Sequence, residues 1–137
     1  MIANHELFHM VHQLSRKLTK KANEVLQPYG LYSAQWSVIF VLKEKGTLSQ
    51  KELSDYLSVE APPMTRTIKR LASQGYINQV YGEDKRKKMI SLTDLAIVSY
   101  PLWEEAVING NKSLLQYYPE SSRVQLNKLI SKWLVQL

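Results

Sequence analysis

Pro62, Thr65, Arg66 and Lys69 stand at i, i+3, i+4 and i+7, a spacing that gathers them into one polar stripe if the segment is helical. The leading end of that stripe is short and uncharged, and its trailing end is cationic. Arginine can donate two parallel hydrogen bonds to a guanine edge, and threonine can meet a base edge or a thymine methyl. Lys69 and its neighbour Arg70 suit phosphate oxygens, which position a protein on a duplex without reading its sequence. A second basic cluster, Lys85-Arg86-Lys87-Lys88, follows Gly82-Glu83-Asp84. An arginine on a narrow protruding loop can enter a minor groove or grip the flanking backbone. Asp84, two residues before Arg86, is expected to hold that guanidinium in a bidentate pair, leaving Lys85 and Lys87 for phosphates. Taken singly, the clusters also fit a solvated helix face and a charged hairpin edge guarded against aggregation.

Periodicity and punctuation show what must position them. Leu7, Val11, Leu14, Leu18, Ala22 and Val25 predict an amphipathic helix over 5–26, ended by Pro28-Tyr29-Gly30. Ser33 is the expected N-cap of a mostly buried helix over 34–45 that carries Trp36, Ile39, Phe40 and Leu42. Ser49-Gln50-Lys51-Glu52 is a capping box opening a short helix over 50–57, with Leu53, Tyr56 and Leu57 as its buried face. After Ser58-Val59-Glu60 a further helix runs over 61–74, with Pro62 and Pro63 in its first turn and Gly75 past its end. Met64, Ile68 and Leu71 form the face opposite the polar stripe. The period then changes: 77–81 and 88–92 read as two strands of a hairpin. Thr93 caps a helix over about 94–116, in which Pro101 predicts a kink or break near Tyr100. Pro119 opens a last helix with a wide apolar face. The fold class is therefore mainly α with a small β-hairpin wing (α+β), a winged helix-turn-helix over 33–93 flanked by terminal helices over 1–30 and 94–137. A basic patch on a groove-reading motif points to double-stranded DNA as partner. Ser49 and Gln50, at the start of the first helix of the pair, join Pro62, Thr65, Arg66, Lys69, Arg70, Lys85, Arg86 and Lys87 as candidate contacts.

The hairpin also resembles that of the MarR-type winged-helix transcriptional regulators. Asp84-Lys85-Arg86 followed by Ile90-Ser91-Leu92-Thr93 is similar to the family's D-x-R…L-x-L-T signature. Leu71 to Ile77 resembles the segment leaving the recognition helix, and Leu48 to Val59 the helix before it. Ala96 stands where a glycine commonly follows the L-T pair, and Pro101 interrupts a helix that is usually continuous. The resemblance implies an obligate homodimer with intertwined terminal helices. Composition supports this independently, because Leu7, Val11, Leu14, Leu126, Ile130, Trp133 and Leu134 are more apolar surface than so small a unit can cover. A two-fold dimer would set two recognition helices roughly 34 Å apart on a pseudo-palindromic operator. The resemblance further implies a small aromatic or phenolic effector that releases DNA. Tyr32, Trp36, Tyr56 and Trp103, with Tyr29 and Tyr100, are candidate pocket residues, and Arg16 and Lys20 candidate partners for an anion; by periodicity alone the aromatics are core.

Composition excludes other classes. The 137 residues carry a formal charge of +6, and residues 43–93 hold ten basic against six acidic side chains. The chain has no cysteine, which excludes disulfide scaffolds, thiolate metal sites and thiol redox sensing. With no long apolar run and no signal-like start, a cytoplasmic protein without membrane association is expected. His5, His9 and His12 share one helical stripe and could hold a metal, which keeps a metal-responsive regulator open as an alternative. A winged-helix module that docks an acidic protein without reading DNA is another. No catalytic constellation or glycine-rich phosphate loop occurs, so neither an enzyme nor a cofactor is expected.

Overall fold

Apolar residues three and four apart build α1 (Asn4–Leu26) in the computed structural model, which describes residues 3–137. Only Leu26 of α1 is buried; Leu7, Phe8, Val11, Leu14 and Leu18 are all 38–49% exposed. A 3-10 turn over Gln27–Tyr29 follows and ends at Gly30, whose φ of +71° favours glycine.

The second helix, α2 (Ser33–Lys45), starts one residue before its expected position. Ser33 is its first residue and not its cap: its amide donates to Asn23 Oδ1 at 2.7 Å. Tyr32 is the N-cap, and its amide donates to Gln35 Oε1 at 2.9 Å. Val38, Ile39, Val41 and Leu42 are buried, whereas Trp36 is half-buried and Phe40 exposed. Five consecutive apolar residues circle a helix, so one of them must face outward.

A two-residue strand, β1 (Leu48–Ser49), leads into α3 (Gln50–Leu57). The expected capping box is present: the Glu52 amide donates to Ser49 Oγ and the Ser49 amide to Glu52 Oε1, each at 3.0 Å. These bonds, the Ser49 amide foremost, hold the Glu52 carboxyl below its usual pKa. Leu53 is fully buried and Leu57 half-buried, but Tyr56 is exposed, contrary to expectation. Leu53 and Leu57, four apart, occupy the inward stripe; Tyr56 lies beside it with the Lys45 ammonium 4.6 Å from its ring centroid.

The next helix, α4 (Ala61–Ser73), buries Met64, Ile68 and Leu71, with Gln74 as C-cap and Gly75 beyond at φ +81°. Strands β2 (Ile77–Tyr81) and β3 (Lys88–Leu92) have the expected bounds and pair antiparallel, from Ile77 opposite Leu92 to Tyr81 opposite Lys88. The sheet order is β1-β3-β2, with Leu48 opposite Ile90.

Thr93 caps α5 (Asp94–Leu114) by accepting from the Ala96 amide at 3.2 Å and donates its own proton to the Gly75 carbonyl at 2.7 Å. Of the kink or break expected near Tyr100, the break does not occur: α5 is continuous through Pro101. The proline removes a single backbone bond, while Tyr100 and Trp103 on either side are packed at 4% and 2% exposure. Gly110 lets α5 approach α1, since a Cβ there would sit 3.0 Å from Val25 Cγ1. After the Tyr117-Tyr118 connector, Pro119 caps α6 (Glu120–Val135), which has no buried residue. The core lies among α2, α3, α4, the sheet and the first half of α5. Among the described residues no helix is long and apolar enough to cross a membrane.

Candidate nucleic-acid interface

Ser58, at φ +54°, turns the chain sharply between α3 and α4, and the burial of Met64, Ile68 and Leu71 fixes how α4 rolls. That roll leaves Pro62, Arg66 and Lys69 exposed and Thr65 half-buried. Thr65 Oγ1 donates to the Ala61 carbonyl at 2.9 Å and accepts from Gln50 Nε2 at 2.8 Å. Ser49, expected beside Gln50 on the interface, is 5% exposed, and its hydroxyl accepts from the Glu52 amide in the capping box. Arg70 is exposed and makes a contact of its own. Its guanidinium lies 4.6 Å over the Tyr32 ring, because its position on α4 faces the junction of α1 and α2.

In the wing, Gly82 to Lys87 form a six-residue loop whose ends are joined by the Gly82 amide on the Lys87 carbonyl at 3.5 Å, with the Lys87 amide donating to the Asp84 carbonyl at 2.9 Å inside it. Asp84 Oδ1 accepts from the Arg86 backbone amide at 3.0 Å and not from its guanidinium. At a spacing of two, an aspartate reaches the chain more readily than a long side chain, and the result is an Asx-type turn. Lys51–Asp55, 3.0 Å apart on α3, is the single ion pair among the described residues. Arg66, Lys69, Lys85, Arg86 and Lys87 are thus exposed without a carboxylate partner there. One open groove touches both Gln50 and Ala61 on the helix pair and Arg86, Lys87 and Lys88 on the wing.

An amide relay that sequence reasoning missed ties α4 to the α1–α2 junction. Gln35 Nε2 donates to Gln74 Oε1 at 2.6 Å, and Gln74 Nε2 donates to the Gly30 carbonyl at 2.8 Å. Gln35 is 2% exposed. The available signal was a Gln at the third helical position, which reaches back to its N-cap amide.

The candidate effector residues do not converge on one cavity. Tyr32 is exposed and lines a shallow depression on α1 with Arg16 and Lys20. Trp36 stacks on Tyr100 at 5.3 Å, Trp103 is buried edge-on against Tyr76 at 4.7 Å, and Tyr56 lies on α3 under Lys45. Tyr29 is half-buried. His5, His9 and His12 are exposed along α1, and no three metal-ligating side chains converge among the described residues. Leu7, Val11 and Leu14 on α1 and Leu126, Ile130, Trp133 and Leu134 on α6 all remain 37–65% exposed. The two helices meet at Phe8 and Trp133, 5.9 Å between ring centroids.

Known proteins share both sequence and architecture with this chain. The model of the MarR family matches residues 31–88. An uncharacterised HTH-type transcriptional regulator of Bacillus subtilis, YwoH, is 41% identical over 133 residues, spanning 97% of each chain. The wild-type, apo structure of MarR from Escherichia coli superposes with a TM-score of 0.80 at 26% identity over 98% of each chain. A cysteine-to-serine variant of that protein complexed with operator DNA gives 0.85 at 24% identity over 94% of each.

Proposed function

The chain belongs to the MarR family of transcriptional regulators, a class that controls transcription and is not enzymatic, and we propose that it acts as a homodimer on a two-fold-related operator. Residues 33–93 form the DNA-binding unit in this reading, and the helices over 1–30 and 94–137 the dimerisation region. Arg66 reads a base edge in the major groove, Lys69 holds phosphate, and Arg86 with Lys85 and Lys87 grips the flanking backbone or minor groove. The observation that carries the reading is the set of exposed cations on α4 and the wing, none of them paired with a carboxylate among the described residues. The operator complex of the E. coli relative supports it.

Dimerisation rests on the apolar surface that α1 and α6 leave uncovered, since contiguous patches of that kind mark protein contacts. The sign proposed is repression: two recognition helices and two wings occupy the site and exclude other proteins from it. Selection of bound fragments from random DNA tests the reading. A discrete, two-fold-related motif supports it, whereas fragments without a common motif point to a protein-docking module instead.

A second reading adds release by a small aromatic or anionic effector. The Arg70–Tyr32 stack favours it, because it links α4 to the depression where Arg16 and Lys20 offer positive charge. Displacement of the selected DNA by a small aromatic carboxylate, lost on Tyr32→Ala, is the outcome expected. Zinc added to the same assay tests the histidine stripe.

A further inference from the structure

The first turn of α4 is poor in hydrogen-bond donors. Pro62 and Pro63 have no amide hydrogen, and the Met64 amide is spent on the Glu60 carbonyl at 3.1 Å. Thr65 carries the remaining hydroxyl of this turn, and its one proton goes to the Ala61 carbonyl. One of its two lone pairs is filled by Gln50, whose side chain arrives from α3. With Oγ1 bonded to both Ala61 and Gln50, the Thr65 methyl is the group left for an outside partner. Ala61, Pro62 and Pro63, all exposed, surround it with further hydrocarbon.

From this arrangement we propose that Thr65 reads a thymine through its C5 methyl, and that Gln50 is a positioning residue that holds Thr65 in that orientation. The inference rests on the DNA reading above and names what one position of the operator must be. In the major groove thymine alone among the four bases presents a methyl group, so an apolar surface there discriminates without any hydrogen bond. Acceptors on guanine or adenine find no proton on Thr65, because it is already used. Gln50 is the residue that enforces this, since its bond, together with the one to Ala61, holds the hydroxyl and opposes rotation of its proton toward the groove.

The experiment uses the full-length protein and a fragment obtained by selection from random DNA. Each thymine of the motif is replaced in turn by deoxyuridine, which removes only the methyl. At one thymine per half-site the replacement should weaken wild-type binding about fourfold, the worth of one buried methyl group. Thr65→Ser, which keeps the hydroxyl and loses the methyl, should bind the two forms of that site equally. Gln50→Ala should blunt the thymine preference without abolishing binding, and Gln50→Glu, which offers no donor to the hydroxyl, should do the same. The proposal is overturned if deoxyuridine is tolerated at every position of a discrete motif, or if the penalty persists unchanged in Thr65→Ser. Should no discrete motif be recovered, the DNA reading itself fails and this inference falls with it.

Discussion

Cutting the Gln35 relay isolates the contribution of a single buried amide to the placement of α4. Gln35→Met keeps a long unbranched side chain in a site only 2% exposed, so little cavity is created. It removes the acceptor for the Tyr32 amide, 2.9 Å away, and the donor to Gln74 Oε1, 2.6 Å away. A buried donor left unpaired costs about 1–3 kcal/mol, and a lost amide–amide bond about 1 kcal/mol more. The added apolar burial of the methionine offsets part of this, which leaves a net loss of about 2 kcal/mol. Gln74→Ala should cost less, about 1 kcal/mol, because Gln74 is half-exposed and water can replace it at the Gly30 carbonyl. Urea unfolding followed by circular dichroism measures both, at one fixed protein concentration because the proposed dimerisation would add to apparent stability. A Gln35→Met protein within about 0.5 kcal/mol of wild type, or one less affected than Gln74→Ala, would refute the reasoning.

Other perturbations are expected to behave as follows. Arg66→Ala should cost about 1–3 kcal/mol of binding and relax preference at one base, whereas Lys87→Ala should weaken all DNA alike and reduce the salt slope by about one; fluorescence anisotropy at several salt concentrations separates them. Ser58→Gly should stabilise the protein by up to about 1 kcal/mol, read as a raised Tm, because the left-handed φ of +54° strains any residue with a Cβ. Tyr100 is buried with no hydrogen-bond partner for its hydroxyl, and burial, with the Glu104 charge adding to it, pushes its pKa up to about 12. An unfolded tyrosine ionises near pH 10, so the native state loses stability between about pH 10 and 12. Tyr100→Phe should therefore lessen the alkaline fall in Tm while leaving the Tm at pH 7 unchanged or higher.

Much of the architecture was legible because it rests on local signals. The Ser49-x-x-Glu52 box, the paired prolines after Glu60 and the change of period at Ile77 each have one dominant backbone solution, and these elements fall within a residue of their expected bounds. What was not legible depends on partners distant in the chain. The strand β1 exists only because Leu48 meets Ile90. Tyr56 carries the composition of a core residue, yet Leu53 and Leu57 take the core-facing stripe and leave it outside. The contact between the Arg70 guanidinium and the Tyr32 ring was likewise not legible, because the two residues lie far apart in the chain. For the same reason the aromatic residues do not all meet: residue type alone does not say which neighbour each ring will pack against.

The most direct measurement is a hydroxyl-radical footprint of the protein on its selected fragment, with the mass of the bound species determined in parallel. Two protected segments related by a dyad, about one helical turn apart, with two chains bound per site, are what the account predicts. A single chain protecting one unrepeated segment, at full affinity, would contradict it.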